Sequence, residues 1–324
     1  MRRFPWLLLA LAVAASLAIG LAAGTVALAP GAVWTALWRP GGEAGLIVRE
    51  LRAPRVLLGF LVGGSLGVCG AALQAMIRNP LAEPYLLGLS GGAGLGAVAA
   101  IASRLAGPWA VPLAAFAGAL GAVALVYRLS LVAGRRLDPR VLLLSGVVVG
   151  SFAGALMSAI LVLSDTASTR NAFLWLLGGL GGSSWQALAV FSAYAIAPLA
   201  VIGLHARSLD LLALGEEPAH YLGADVERTR RLVYLATALL TAASVATCGI
   251  IGFVGLVVPH AVRMVSRPIH RTLLPAVFLI GGCFLVLSDV VSRTVARPLE
   301  LPVGVITALV GVPVFAALLR RSLA

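Results

Sequence analysis

Long apolar stretches separated by short polar turns set the pattern of this chain. A helix needs about 20 mostly apolar residues to cross the hydrocarbon core of a bilayer. Runs near that length cover 6–29, 56–77, 86–102, 108–131, 141–163, 185–204, 232–247, 250–262, 273–291 and 302–319. They are continuous rather than alternating, which selects helices over the strands of a membrane barrel. The pattern predicts an all-α polytopic membrane protein, with about ten transmembrane helices in one domain over residues 1–324. The runs at 86–102 and 250–262 are short and read as partial or steeply packed helices. The first run follows "MRR" as a signal peptide would, but it exceeds the usual apolar length of about 7–15 residues and no small-x-small cleavage site follows. A retained first helix is expected.

Polar residues and helix breakers interrupt the pattern at "QAMIRNPLAEPYLLGLSGGAGLGAV", residues 74–98. Proline cannot continue the backbone ladder, so breaks are predicted at Asn79–Pro80 and at Glu83–Pro84. Gly91 and Gly92, with their neighbours, remove side chains so that helices can approach closely. Gln74, Asn79 and Glu83 read as structural hydrogen-bonding groups. A second string shares the spacing of the first: Ser65, Cys69, Gly70 and Pro80 recur as Ser244, Cys248, Gly249 and Pro259. Internal repeats with broken helices are common in transporters. A helix stopping at Pro259 is therefore expected, with His260 packed beside it.

Composition supports the same class. The chain is 60% hydrophobic and 11% charged, against roughly 25% charged residues in soluble domains. A net charge of +12 would suggest nucleic acid in a soluble protein, but here the arginines lie in the turns and report topology instead. With the N-terminus inside, sixteen of the 24 basic residues fall on the cytoplasmic side, which predicts both termini there and no nucleic-acid partner. The three cysteines lie within apolar runs and read as small buried hydrophobes, and no metal-ligand spacing is present. The sequence contains no lysine, so a phosphate-binding loop of the form GxxxxGK[ST] cannot exist in it. Asp289 stands four residues before Arg293, in register to pair with it on one helix face.

The longest polar segment, 205–231, alternates leucines with charges and reads as two short amphipathic helices joined at 215–218. Its apolar residues Leu209, Leu211, Leu212, Leu214 and Tyr221 are numerous for a solvated linker and suggest a docking surface.

"LRAPR" at 51–55, "GAALQAMIRNPLAEPYLLGLSGGAGLGA" at 70–97, "LDLLALGEEPAHYLG" at 209–223, "GFVGLVVPHAVR" at 252–263 and "LELPVGVITALVGVPVF" at 299–315 carry a resemblance over nearly the whole chain. The chain resembles the permease subunits of type II ATP-binding-cassette importers for cobalamin, haem and iron–siderophore chelates, and is most similar to the cobalamin branch. That resemblance implies a non-enzymatic subunit of the bacterial cytoplasmic membrane, without a cofactor of its own. It also implies a homodimer with the path on its two-fold axis, two cytoplasmic ATPases and an extracytoplasmic binding protein. By the same resemblance Leu214, Gly215, Glu216 and Glu217 contact the ATPase. Arg52, Arg55 and Arg293 meet acidic residues of the binding protein. Asp138, Pro139 and Arg140 lie at the gate, where the cobalamin permease has small hydroxyl residues instead. The alternative, an ion-coupled secondary transporter, would place ionisable groups at the midplane, whereas the polar residues here cluster at span ends. A membrane-embedded enzyme would need a facing catalytic constellation, and none is present in the runs.

Overall fold

The computed structural model describes residues 6–26, 28–38, 41–134, 138–266 and 269–323. Arg2, Arg3, Arg39, Arg135, Arg136 and Arg267, counted above for topology, lie outside the described residues. The chain opens with α1 (Trp6–Ala22), α2 (Pro30–Trp38) and α3 (Gly42–Leu46). A π-helical turn, Ile47–Arg52, then leads into α4 (Ala53–Ile77). After a short 3₁₀ turn come α5 (Leu89–Ala102), α6 (Ala110–Gly134), α7 (Pro139–Leu163) and α8 (Thr166–Leu176). α9 (Trp185–Leu204) precedes the paired short helices α10 (Ala206–Leu214) and α11 (Glu216–Tyr221). The chain closes with α12 (Val226–Cys248), α13 (Val254–Val265), α14 (His270–Thr294) and α15 (Val303–Leu323).

Among the described residues six helical stretches are long and apolar enough to cross a membrane: Gly42–Ile77, Ala110–Val132, Pro139–Leu163, Trp185–Leu204, Val226–Cys248 and His270–Thr294. Four shorter apolar helices, α1, α5, α13 and α15, stand where the remaining spans are expected. α4 and α12 form the centre, with 83% and 72% of their apolar windows buried, whereas only 17% of α7 is buried. Backbone contact seals the centre. A Cβ built on Gly281 of α14 would sit 2.5 Å from the Gly63 carbonyl oxygen of α4, so only glycine allows this approach. Gly92 of α5 meets α6 in the same way, with a built Cβ 2.5 Å from that of Ala122, and Gly91 lies against Gly150 of α7. The three cysteines are free, Cys69 and Cys248 fully buried.

Three sequence expectations are corrected. The span expected to begin at residue 56 is the end of a helical rod that starts at Gly42, because its arginines find partners inside the protein (below) and need not end the helix. The expected stop at Pro259 does not occur: Pro259 lies inside α13, and α12 ends instead at Gly249, whose φ of +69° takes the chain out of the helix. The matching Gly70 sits within unbroken α4, so the two similar strings have different local shapes. Finally, Leu209 and Leu212 are buried at 0% and 1% exposure against this chain, and do not belong to a docking surface.

Candidate functional site

Among the described residues, three polar assemblies tie distant parts of the bundle together. The first joins the break after α4 to α13, the helix that contains Pro259. α4 ends at Arg78, which adopts φ +55°, and the Asn79 side chain accepts from the Leu81 N–H at 2.9 Å, fixing the turn that holds Pro80. Pro259 donates no backbone hydrogen bond, which leaves the Gly255 carbonyl without its helical partner. Gln74 of α4 supplies the replacement, donating to Gly255 O at 3.1 Å while its own amide oxygen accepts from Arg263. Glu83, just before Pro84, accepts from the Phe253 N–H at 2.8 Å and satisfies an orphan donor at the start of α13. The Tyr85 hydroxyl donates to Ile251 O at 3.1 Å. His260 is half-buried in the middle of α13. Gln74 and Glu83 thus tie α4 and the turn after it to the backbone of α13, and Asn79 fixes the turn itself.

The second assembly is the 205–231 segment. Gly215, with φ +127°, forms the elbow between α10 and α11, a conformation that disfavours any side chain. Leu214 (66% exposed) and Tyr221 (87%) project from the elbow, while Leu209 and Leu212 anchor it below. Asp210 accepts from the backbone N–H of His270 at 2.9 Å and lies 2.6 Å from its ring Nδ1. Glu216 holds Arg230 of α12 at 2.5 Å, and this bond to the guanidinium keeps its carboxyl below the usual range. Arg78 approaches the elbow too, its Nη1 3.6 Å from a Cβ built on Gly215. A concavity of about 1160 Å³ opens beside the elbow, lined by Glu216, Glu217, His220, Tyr221, Asp225 and Glu227 among others. Asp138 lies close enough to influence Glu216, so the turn before α7 shares this end of the bundle. There Asp138 caps α7 by accepting from the Arg140 N–H at 2.7 Å, and Pro139 takes the first helical position.

The third assembly gathers Arg52, Arg55 and Arg293 around a cleft of about 310 Å³. The helix C-terminus of α1 leaves carbonyls without partners. Arg52 donates to Leu21 O, Ala22 O and Val26 O, and Arg293 donates to Gly20 O and Ala23 O. Two cations at a helix C-terminus also oppose its partial negative charge. Arg49, three residues before Arg52, does the same for α2 through Ala36 O and Leu37 O. Arg55 instead pairs with Asp289 at 2.8 Å and with Glu300 at 2.9 Å, and Asp289 also holds Arg293 at 3.0 Å. Arg52 and Arg293 are 4% and 2% exposed, so they face inward, which the sequence did not show. The signal for that was Asp289, which the i,i+4 spacing had paired with Arg293 alone.

Among the described residues no group of His, Cys, Asp or Glu is arranged to hold a metal.

Comparison with known proteins converges on one family. The family model described as the FecCD transport family matches residues 7–321. A cobalamin import system permease of Halobacterium salinarum is 47% identical, the match covering 86% of this chain and 74% of that protein. A vitamin B12 import system permease of Salmonella arizonae is 41% identical over 99% of this chain and 95% of its own. A solved structure, described as an inward-facing conformation of a transporter assigned to the metal-chelate ABC type, superposes with a TM-score of 0.88 at 29% identity, covering 97% of this chain and 98% of that one. The bundle built from glycine-sealed helices, with an exposed elbow at one end and no nucleotide loop, is the transmembrane permease subunit of an ATP-binding-cassette importer, whose ATPase is a separate subunit, and the chain belongs to the FecCD transport family.

Proposed function

We propose that this permease carries cobalamin, or a metal chelate of similar size, into the cytoplasm as a homodimer with two ATPases and an extracytoplasmic binding protein. Support for the cargo comes from the two relatives named for cobalamin and vitamin B12 import. The permease works in the bacterial cytoplasmic membrane with both termini in the cytoplasm, and it needs no cofactor of its own.

The observation that carries the mechanism is the α10–α11 elbow. Leu214 and Tyr221 are large apolar side chains held in the open by a glycine turn, beside an acidic concavity, on a chain without a nucleotide loop. Leu214, Gly215, Glu216 and Glu217 there receive the ATPase, and the turn at Asp138, Pro139 and Arg140 closes the path at the same end. At the other end the binding protein's acidic groups meet Arg55, which is 13% exposed, while Arg52 and Arg293 hold that surface from beneath.

Reconstitution of the permease with its ATPase and binding protein in proteoliposomes tests the reading. A complex with the mass of two permeases and two ATPases is expected, with ATP-driven uptake of radiolabelled cobalamin exceeding that of haem or a ferric siderophore. Leu214→Asp should insert normally but lose ATPase co-purification and at least tenfold of uptake, since a charge buried unpaired at an interface costs several kcal/mol. Normal ATP-driven uptake by that variant removes the elbow from the mechanism, uptake of only another chelate removes cobalamin as the cargo, and uptake of none of the three overturns the chelate reading.

A further inference from the structure

We propose that Asp210 is the positioning residue through which the coupling elbow moves α14, and through it the opposite face of the membrane. This inference rests on the reading of α10–α11 as the ATPase contact. Asp210 lies on α10, and both its contacts are to the first residue of α14. Its Oδ1 accepts from the His270 backbone N–H at 2.9 Å and lies 2.6 Å from the His270 ring Nδ1. The backbone bond satisfies one of the orphan donors at the α14 N-terminus, and the carboxylate sits at the positive end of the helix dipole. His270 itself is 3% exposed, so the grip is on a group locked into the bundle rather than on a mobile side chain.

α14 runs on from that grip as one helix, through Pro275 in its second turn. It spans 25 residues, roughly 37 Å at 1.5 Å per residue. Along its length Gly281 lies in backbone contact with Gly63 of α4, and Phe278 fills the space above Gly64. Packed surfaces of this kind have no slack in which a shift could dissipate. Its far end carries Asp289 and Arg293, the two groups that hold Arg55 and the C-terminus of α1. A push on α10 therefore reaches the arginine cluster through one helix. Glu216, at the elbow itself, grips a different helix, α12, through Arg230 at 2.5 Å.

The test compares Asp210→Ala, Asp210→Asn and His270→Ala in the complete complex in proteoliposomes. The readouts are cargo transported per ATP hydrolysed and stimulation of ATPase by the binding protein. Asp210→Ala removes both contacts and should keep basal hydrolysis within about twofold while transport per ATP falls about tenfold and stimulation is lost. Asp210→Asn retains an acceptor oxygen at the same place and should restore both readouts to within about twofold of the unmodified complex. His270→Ala keeps the backbone bond only and should lose about threefold, an arm that stands even where Asp210→Ala fails to insert. Unchanged transport per ATP in Asp210→Ala or in His270→Ala, with the ATPase still bound, overturns the inference. Failure of the underlying reading looks different, because Leu214→Asp would then keep both the ATPase and normal uptake whatever the Asp210 variants do.

Discussion

Removing the carboxylate of Asp289 should destabilise this protein far more than removing any exposed charge. Asp289 is 1% exposed and makes bonds of 2.8–3.2 Å to Arg55 and 3.0 Å to Arg293. Asp289→Ala leaves two guanidinium groups facing each other across the vacated space. Removal of one partner from a buried pair costs about 3–5 kcal/mol, because the charge left behind can neither pair nor reach water. Glu300 stays 2.9 Å from Arg55 and the α1 carbonyls stay on Arg293, which keeps the expected loss within that range rather than doubling it. Against a total stability of roughly 5–15 kcal/mol this is a large fraction. The companion variant Asp289→Leu with Arg55→Leu removes one charge of each sign and should lose about half as much, since replacing both members of a buried pair leaves nothing unpaired between them. Reversible unfolding in mixed detergent micelles, followed by tryptophan fluorescence, measures the difference. An Asp289→Ala protein that unfolds within about 1 kcal/mol of the unmodified chain would refute the reasoning, and would return Arg293 to the status of a surface group free for a partner. The same logic applies to Arg52→Glu with Arg55→Glu, in which a carboxylate would face the carbonyls of α1, so loss of folded protein should precede any loss of docking.

Two further outcomes follow from other contacts. Gly70→Ala should cost about 1–3 kcal/mol in the same unfolding assay, because its Cβ would overlap the Gly255 carbonyl of α13, whereas Gly121→Ala, with nothing within 4 Å, should be neutral or slightly stabilising. Glu216→Gln tests the grip on Arg230. The Arg230 bond lowers the Glu216 carboxyl from an ordinary value of 4.5, so its contribution is complete above that value and is lost as pH falls through the lowered one. The variant should be less stable by up to about 1 kcal/mol, equally at about pH 6 and pH 8, and should converge with the unmodified protein in acid, the half-exposed Glu216 side chain limiting the size of the effect.

Hydropathy and composition alone determined the class, the approximate limits of most apolar helices and the two-helix form of the 205–231 segment, because burial in lipid constrains every position of a span and proline and glycine punctuate the rest. The absence of lysine alone excluded a phosphate-binding loop of the form GxxxxGK[ST] from this chain. Only the tertiary structure decided where long-range polar partners lie. Nothing local shows that Gln74 must satisfy a carbonyl freed by Pro259, or that Glu83 must cap α13. The arginines of "IVRELRAPR" looked like surface charges, since a guanidinium near a span end ordinarily reaches for water. They face inward because the carbonyls of α1 and α2 and the carboxylate of Asp289 converge on them from elsewhere in the chain. The leucines of the elbow divide the same way: their spacing made a helix, but contact with the bundle chose Leu209 and Leu212 for burial and left Leu214 outside.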